Sequence, residues 1–289
     1  MTVVTTRGPG GRATLFGAGA IVLWSTLALL TTLAEIPALE KTAITFAIGG
    51  LVLAGLNIVR GDGLALYRQP WRVWAIGLGG MFGYHALYFF ALGIAPPAEA
   101  SLVNYLWPLL IVAGTAFLPG EKLRPLAVVG ALMGLGGVVF LIGPRAQFSM
   151  DAMGGYAAAL AAAVTWATYS LASRRMAGVP SGIVAGFALG TALLAGIGHL
   201  LFEDFVWPEG ALAWTSLIAL GLGPVGAAFL LWDIGMKGGN PRLLGALAYA
   251  TPLTSTILLV LAGKAEASAG IFVACVAITL GAILAGRKG

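Results

Sequence analysis

The stretch Gly17–Thr26, GAGAIVLWST, returns as AAAVTWATYS at Ala161–Ser170, and the organisation of the chain follows from how the two copies are spaced. Trp24 meets Trp166 at an offset of 142 residues, and Val22/Val164 and Thr26/Thr168 keep the same offset. Gly79/Gly221 and Gly93/Gly235 extend the register. Beyond them the second copy carries two extra residues, Gly238 and Gly239, and the offset becomes 144: Pro97/Pro241, Tyr105/Tyr249, Pro108/Pro252 and Gly137/Gly281. Glycine pairs alone mean little in a chain with 43 glycines, but Trp, Tyr and Pro repeated in the same order mark a duplication.

The solvent of this duplicated chain is lipid. Of its 289 residues 59% are hydrophobic and only 9% charged, against about 25% charged in a water-soluble domain. Mean hydropathy is +0.96. A helix crosses the hydrocarbon core in about 20 apolar residues. Breaks at charged, Pro and Gly clusters leave ten such runs, near 13–33, 40–59, 71–93, 97–118, 123–143, 152–173, 181–202, 211–236, 240–262 and 267–286. The first run is longer than the apolar core of a signal peptide and is expected to stay as a span. Residues 1–12 read as a polar cytoplasmic tail, 13–143 as the first repeat and 152–286 as the second. The expected fold is an all-α membrane protein of ten transmembrane helices. Five spans per repeat is an odd number, so the two five-helix repeats have inverted topology. The abundant glycine fits close helix–helix approach in lipid. Cys275, the single cysteine, reads as a small packing residue.

Lys and Arg set the orientation. Thirteen of the 16 basic residues fall on one side: Arg7, Arg12, Arg60, Arg68, Arg72, Lys122, Arg124, Arg174, Arg175, Lys237, Arg242, Arg287 and Lys288. Lys41, Arg145 and Lys264 fall on the other. Both termini are therefore expected in the cytoplasm. The net charge of +5 does not point to nucleic acid, because the basic residues are scattered among apolar spans. Inverted repeats are characteristic of secondary transporters, in which the two halves exchange conformations around a central site; a duplicated scaffold without transport is the alternative.

Beyond the repeat itself, the chain resembles the drug/metabolite transporter superfamily, in its ten-helix branch with two EamA-type repeats. The resemblance lies in GAGAIVLWST with its counterpart AAAVTWATYS, and in ALGIAPPAEASLVNYLWPLL (Ala91–Leu110) followed by LPGEKL (Leu118–Leu123). Where the first repeat has LPGEKL, the second has LAGKAEAS, which displaces its acid to Glu266. Tyr105-Leu106-Trp107-Pro108, with Tyr84-His85 and Tyr88, is similar to the bacterial exporters of aromatic amino acids within that superfamily. The resemblance implies export of amino acids, including aromatic ones, across the bacterial inner (plasma) membrane, with a monomer as the expected working unit.

Aromatic and polar side chains gather near the middle of the spans, where a carrier's site is expected. The candidate substrate-binding residues are Trp24, Tyr84, His85, Tyr88, Asn104, Tyr105, Trp107, Trp166, Tyr169 and Tyr249. Spacings of three and four put Tyr84, His85 and Tyr88 on one helix face, and Asn104, Trp107 and Pro108 on another. Pro108 and Pro252 lack an N–H, which frees the carbonyls of Asn104 and Ala248 and makes both positions candidate hinges. Ordinary packing also produces mid-membrane aromatics at helical spacing, but a mid-membrane histidine such as His85 normally faces the bundle interior. His199 beside Glu203 reads as interfacial, as do Trp71, Trp74, Trp207, Trp214 and Trp232 at span ends. Asp233 and Lys237 read as an i, i+4 ion pair.

No Asp, Glu, Lys or Arg falls near the middle of any span, which favours a neutral or zwitterionic substrate held by aromatic faces and hydrogen bonds. A phosphate-bearing substrate would call for Lys or Arg in the cavity. A channel would call for a ring of like charges or a carbonyl filter. With two histidines, one cysteine and no central acid, no catalytic set, metal site or cofactor is expected.

Overall fold

The computed structural model describes residues 9–119, 122–266 and 269–286, and it is helical throughout with short connections. Nine helices are long and apolar enough to cross a membrane among the described residues. They are α1 (Gly10–Thr31), α2 (Ala38–Val59), α3 (Trp71–Ile94), α4 (Pro97–Phe117), α5 (Pro125–Ile142), α7 (Ser181–Phe202), α8 (Gly210–Gly238), α9 (Pro241–Leu261) and α10 (Ala269–Gly286). Between α5 and α7 runs α6 (Met153–Arg175), 23 residues and so of crossing length. Its alanines, serines, threonines and tyrosines make it less apolar than its neighbours. Ten helices of spanning length therefore occupy the positions read from the sequence. Most of the tail assigned to residues 1–12, with Gly120, Glu121, Ala267, Ser268 and the last three residues, lies outside the described residues.

Helix pairing reproduces the duplication. Exchanging α1–α5 with α6–α10 turns the pair α1/α8 into α6/α3, and both pack extensively. The pairs α2/α7 and α5/α10, which map onto themselves, are also among the most extensive. At the α5/α10 crossing, a Cβ on Gly130 would collide with the Gly281 carbonyl, and one on Gly281 with the Gly130 carbonyl. Only glycine permits the two backbones to touch there. Gly136, on the same helix, faces open space.

Four of the spans are interrupted, each for a readable reason. In α1 the Ser25 and Thr26 hydroxyls donate back to the carbonyls of Ile21 (2.9 Å) and Leu23 (2.7 Å), competing with the helical ladder, and the chain makes a turn. α4 breaks at Tyr105–Leu106 and α9 at Tyr249, just before the prolines that cannot donate to the preceding turn, Pro108 and Pro252. These two breaks are equivalent under the repeat. α8 widens to a π-helix over Gly221–Ala227 around Pro224. Such irregular backbone inside a bilayer is tolerated where protein or a cavity covers it, and all four interruptions converge on the bundle centre.

Candidate functional site

The centre is an aromatic box. Trp24 of α1 packs against Trp107 of α4 (ring centroids 6.4 Å apart), Trp166 of α6 (5.7 Å), and Phe229 (5.8 Å) and Trp232 (5.1 Å) of α8. Most of these contacts are edge-to-face, the arrangement ring quadrupoles prefer. From α3, Tyr84 adds its ring to Trp166 at 5.4 Å and stacks on Tyr88 at 5.9 Å. His85 sits edge-on to Phe46 of α2 at 5.0 Å. The His85 Nδ1 lies 2.7 Å from the Met81 carbonyl. A carbonyl only accepts, so Nδ1 carries the hydrogen and Nε2 is the ring's remaining polar atom.

This box walls a cavity of about 200 Å3 lined by Trp24, Leu27, Ala28, Tyr84, His85, Tyr88, Asn104, Tyr105, Trp107, Trp166, Phe229, Thr251 and Ser255. Eight of the ten residues singled out in the sequence therefore meet on one lining. The other two stand behind it: Tyr169 packs on Trp166 at 5.2 Å and against Gly80, and Tyr249 is fully buried against Gly134 of α5. Pro108 and Pro252 are buried next to the breaks in α4 and α9. The polar groups of the lining come from α3, α4 and α9. Asn104 donates through Nδ2 to the Tyr84 hydroxyl at 3.0 Å, whereas its Oδ1 has no protein partner, and neither has Thr251 Oγ1. The Tyr88 and Ser101 hydroxyls pair at 2.9 Å.

Leu27, Ala28, Tyr84, His85 and Tyr88 also line a second, larger cavity of about 530 Å3. Its remaining walls include Thr31 and Thr32 at the end of α1 and Lys41, Thr42 and Thr45 at the start of α2. It forms a vestibule leading from the box toward the end of the bundle that carries the α1–α2 connection. At that end Glu203, just beyond α7, accepts from the backbone N–H of Leu39 (2.9 Å) and Glu40 (3.1 Å), capping α2. His199 approaches Glu203 at 3.1 Å and Glu40 at 3.9 Å. His199 is thus buried with two carboxylates near the end of α7.

The opposite end is latched. Trp232 donates to the Ser170 hydroxyl at 3.0 Å, and Ser173 donates to Asp233 Oδ1 at 2.9 Å. The buried Asp233 pairs with Lys237 at 2.7 Å, the i, i+4 pair read in the sequence, and Lys237 also donates to the Val179 carbonyl at 2.8 Å. Arg174 donates to the carbonyls of Lys237 (2.8 Å) and Gly239 (3.0 Å), covering the C-terminal end of α8. These bonds tie α6 to α8 and seal the box on that side.

Two positions differ from their sequence reading. Trp232 is fully buried in the box, not interfacial, because its face of α8 turns toward Trp24. Cys275 is exposed on α10 rather than packed inside. Phe46, Phe229, Thr251, Ser255 and Lys41 were missed: none is matched across the repeat by an aromatic or polar residue of its kind, and periodicity cannot show which face of a wholly apolar helix turns inward.

An inverted pair of five-helix units closing on a mid-membrane cavity defines a multi-pass membrane carrier. Residues 11–143 and 153–287 each match the EamA-like transporter family, and the chain belongs to that family within the drug/metabolite transporters. It is 56% identical over 277 residues, covering 94% of this chain and 96% of the relative, to an aromatic amino acid exporter, YddG, of Ancylobacter novellus. A Salmonella typhimurium protein of the same name is 29% identical, again covering 94% of this chain and 96% of the relative. A pseudopaline exporter of Pseudomonas aeruginosa is 31% identical over 65% of each chain. A solved crystal structure superposes with a TM-score of 0.93 at 56% identity, covering 96% of this chain and 98% of that one.

Proposed function

We propose that this protein exports amino acids, aromatic and other neutral ones, from cytoplasm to periplasm, by alternating access around the aromatic cavity. The observation that carries the reading is a cavity without a charged side chain among its lining residues, walled largely by aromatic rings, with two further lining residues, Asn104 and Thr251, each holding a buried oxygen that has no protein partner. The rings receive an apolar side chain and engage an ammonium through their faces. Asn104 Oδ1 and Thr251 Oγ1 accept from the ammonium, and Trp24, Tyr84, His85, Tyr88, Tyr105, Trp107 and Trp166 enclose the rest. Tyr169 and Tyr249 hold the lining rings in place, and the breaks at Pro108 and Pro252 act as equivalent hinges, one per repeat. The similarity to exporters of aromatic amino acids supports the substrate class.

The charge bias supports cytoplasmic termini, which makes the vestibule periplasmic and the Asp233 latch cytoplasmic. The protein works as a monomer, since each chain encloses a complete cavity. Purified protein in liposomes tests the reading by counterflow of labelled Phe, Trp, Thr and Met. Exchange of these substrates is expected. No exchange under any pH gradient would overturn the amino-acid assignment in favour of another small neutral or drug-like metabolite.

A further inference from the structure

The aromatic cavity offers nothing of positive charge to a carboxylate, yet an amino acid carries one. Among the described residues that line the cavity and its vestibule, Lys41 is the one with a full charge. It stands in the first turns of α2, half-buried, and its Nζ donates to the Thr31 carbonyl at 3.2 Å. An ammonium has three donors, so two remain for a ligand in the vestibule. The acidic group near enough to act on its charge is Glu35, which is exposed on the connection between α1 and α2.

We propose that Lys41 forms an outer subsite that takes the carboxylate of an amino acid passing between the aromatic cavity and the vestibule mouth. This rests on the amino-acid reading above and adds a second station to it. The two cavities share Tyr84, His85 and Tyr88, so a side chain still against these rings can have its carboxylate in the vestibule. A half-buried site strengthens attraction between opposite charges relative to bulk water, while partial hydration keeps the ligand releasable. Thr31, whose carbonyl Lys41 holds, ends α1, so the subsite sits where α1 and α2 meet.

Competition against labelled phenylalanine in nanodiscs tests this, with phenylalanine and phenylalaninamide, which lacks the carboxylate, as competitors. Wild-type protein is expected to prefer the acid. Lys41→Met should weaken phenylalanine about 10-fold and leave the amide within about 2-fold, erasing the preference, and Lys41→Arg should restore it. An acid-to-amide ratio unchanged in Lys41→Met would overturn the subsite, whether both competitors hold their affinity or both weaken because Lys41 only props the end of α1. Failure of wild-type protein to bind phenylalanine at all would instead overturn the amino-acid reading, and the subsite with it.

Discussion

The indole N–H of Trp24 donates to the carbonyl of Pro224 at 3.0 Å, across 200 residues of sequence and between the two repeats. One partner lies at the break in α1, the other in the π-helical turn of α8, so two irregular segments fasten each other beside the cavity. Trp24→Phe keeps a ring in the box but removes the donor, leaving a buried carbonyl without its partner. A loss of about 1–3 kcal/mol in stability is expected, with the thermal midpoint as the measurement. Substrate affinity should fall as well, because the same ring walls the cavity.

Asn104 is the test of the polar wall. Asn104→Leu preserves approximate size and deletes the Oδ1 acceptor together with the hydrogen bond to Tyr84. Amino-acid binding should weaken about 10-fold or more. Tyr84→Phe should weaken it less, because Asn104 Oδ1 survives. Equal affinity of wild type and Asn104→Leu in a binding titration would remove Asn104 from the ammonium site.

Removing the charge of Asp233 should open the end of the bundle opposite the vestibule. Asp233→Asn leaves Lys237 buried without its counter-ion, a change that typically costs about 3–5 kcal/mol. Here part of that cost is relieved by separation of α6 from α8. Hydrogen exchange is expected to quicken in residues 173–180 and 233–240 and to stay unchanged near Leu39 and Glu203 at the far end. Uniform quickening across both ends would mean general destabilisation instead of an unlatched gate.

The α5/α10 crossing admits no side chain. Gly130→Ala or Gly281→Ala should each force the helices apart and lower the thermal midpoint by several degrees, about 1–3 kcal/mol of overpacking. Gly136→Ala, facing open space on the same helix, should be neutral to slightly stabilising. A comparable loss in all three variants would show that helix propensity, not close approach, is what the glycines provide.

Much of the site was readable before any coordinates, because its residues combine two signals. Trp24, Tyr84, His85, Asn104, Trp107 and Trp166 are too polar or too bulky for random placement at mid-membrane, and Trp24 and Trp166 also match each other across the repeat. Trp232 and Phe229 carried the first signal weakly and the second not at all. Trp232 lies near a span end by sequence, so an interfacial place was the natural expectation. The π-turn around Pro224 re-aims the end of α8 that carries it. A rotation of that kind is set by backbone hydrogen bonding, and hydropathy does not register it.

Ten spans, two repeats and the inversion of one against the other all follow from hydropathy, length and the order of paired residues. These are properties of single segments in lipid, where each helix satisfies its own backbone before it meets a neighbour. What lies between segments came from packing: Lys41 turned into a vestibule, His199 buried between two acids, Asp233 fastened to Ser173, and one end sealed while the other stands open. Each of these depends on how helices far apart in sequence are rotated and brought together. An apolar helix whose surface is hydrophobic all round carries no sequence signal for that rotation.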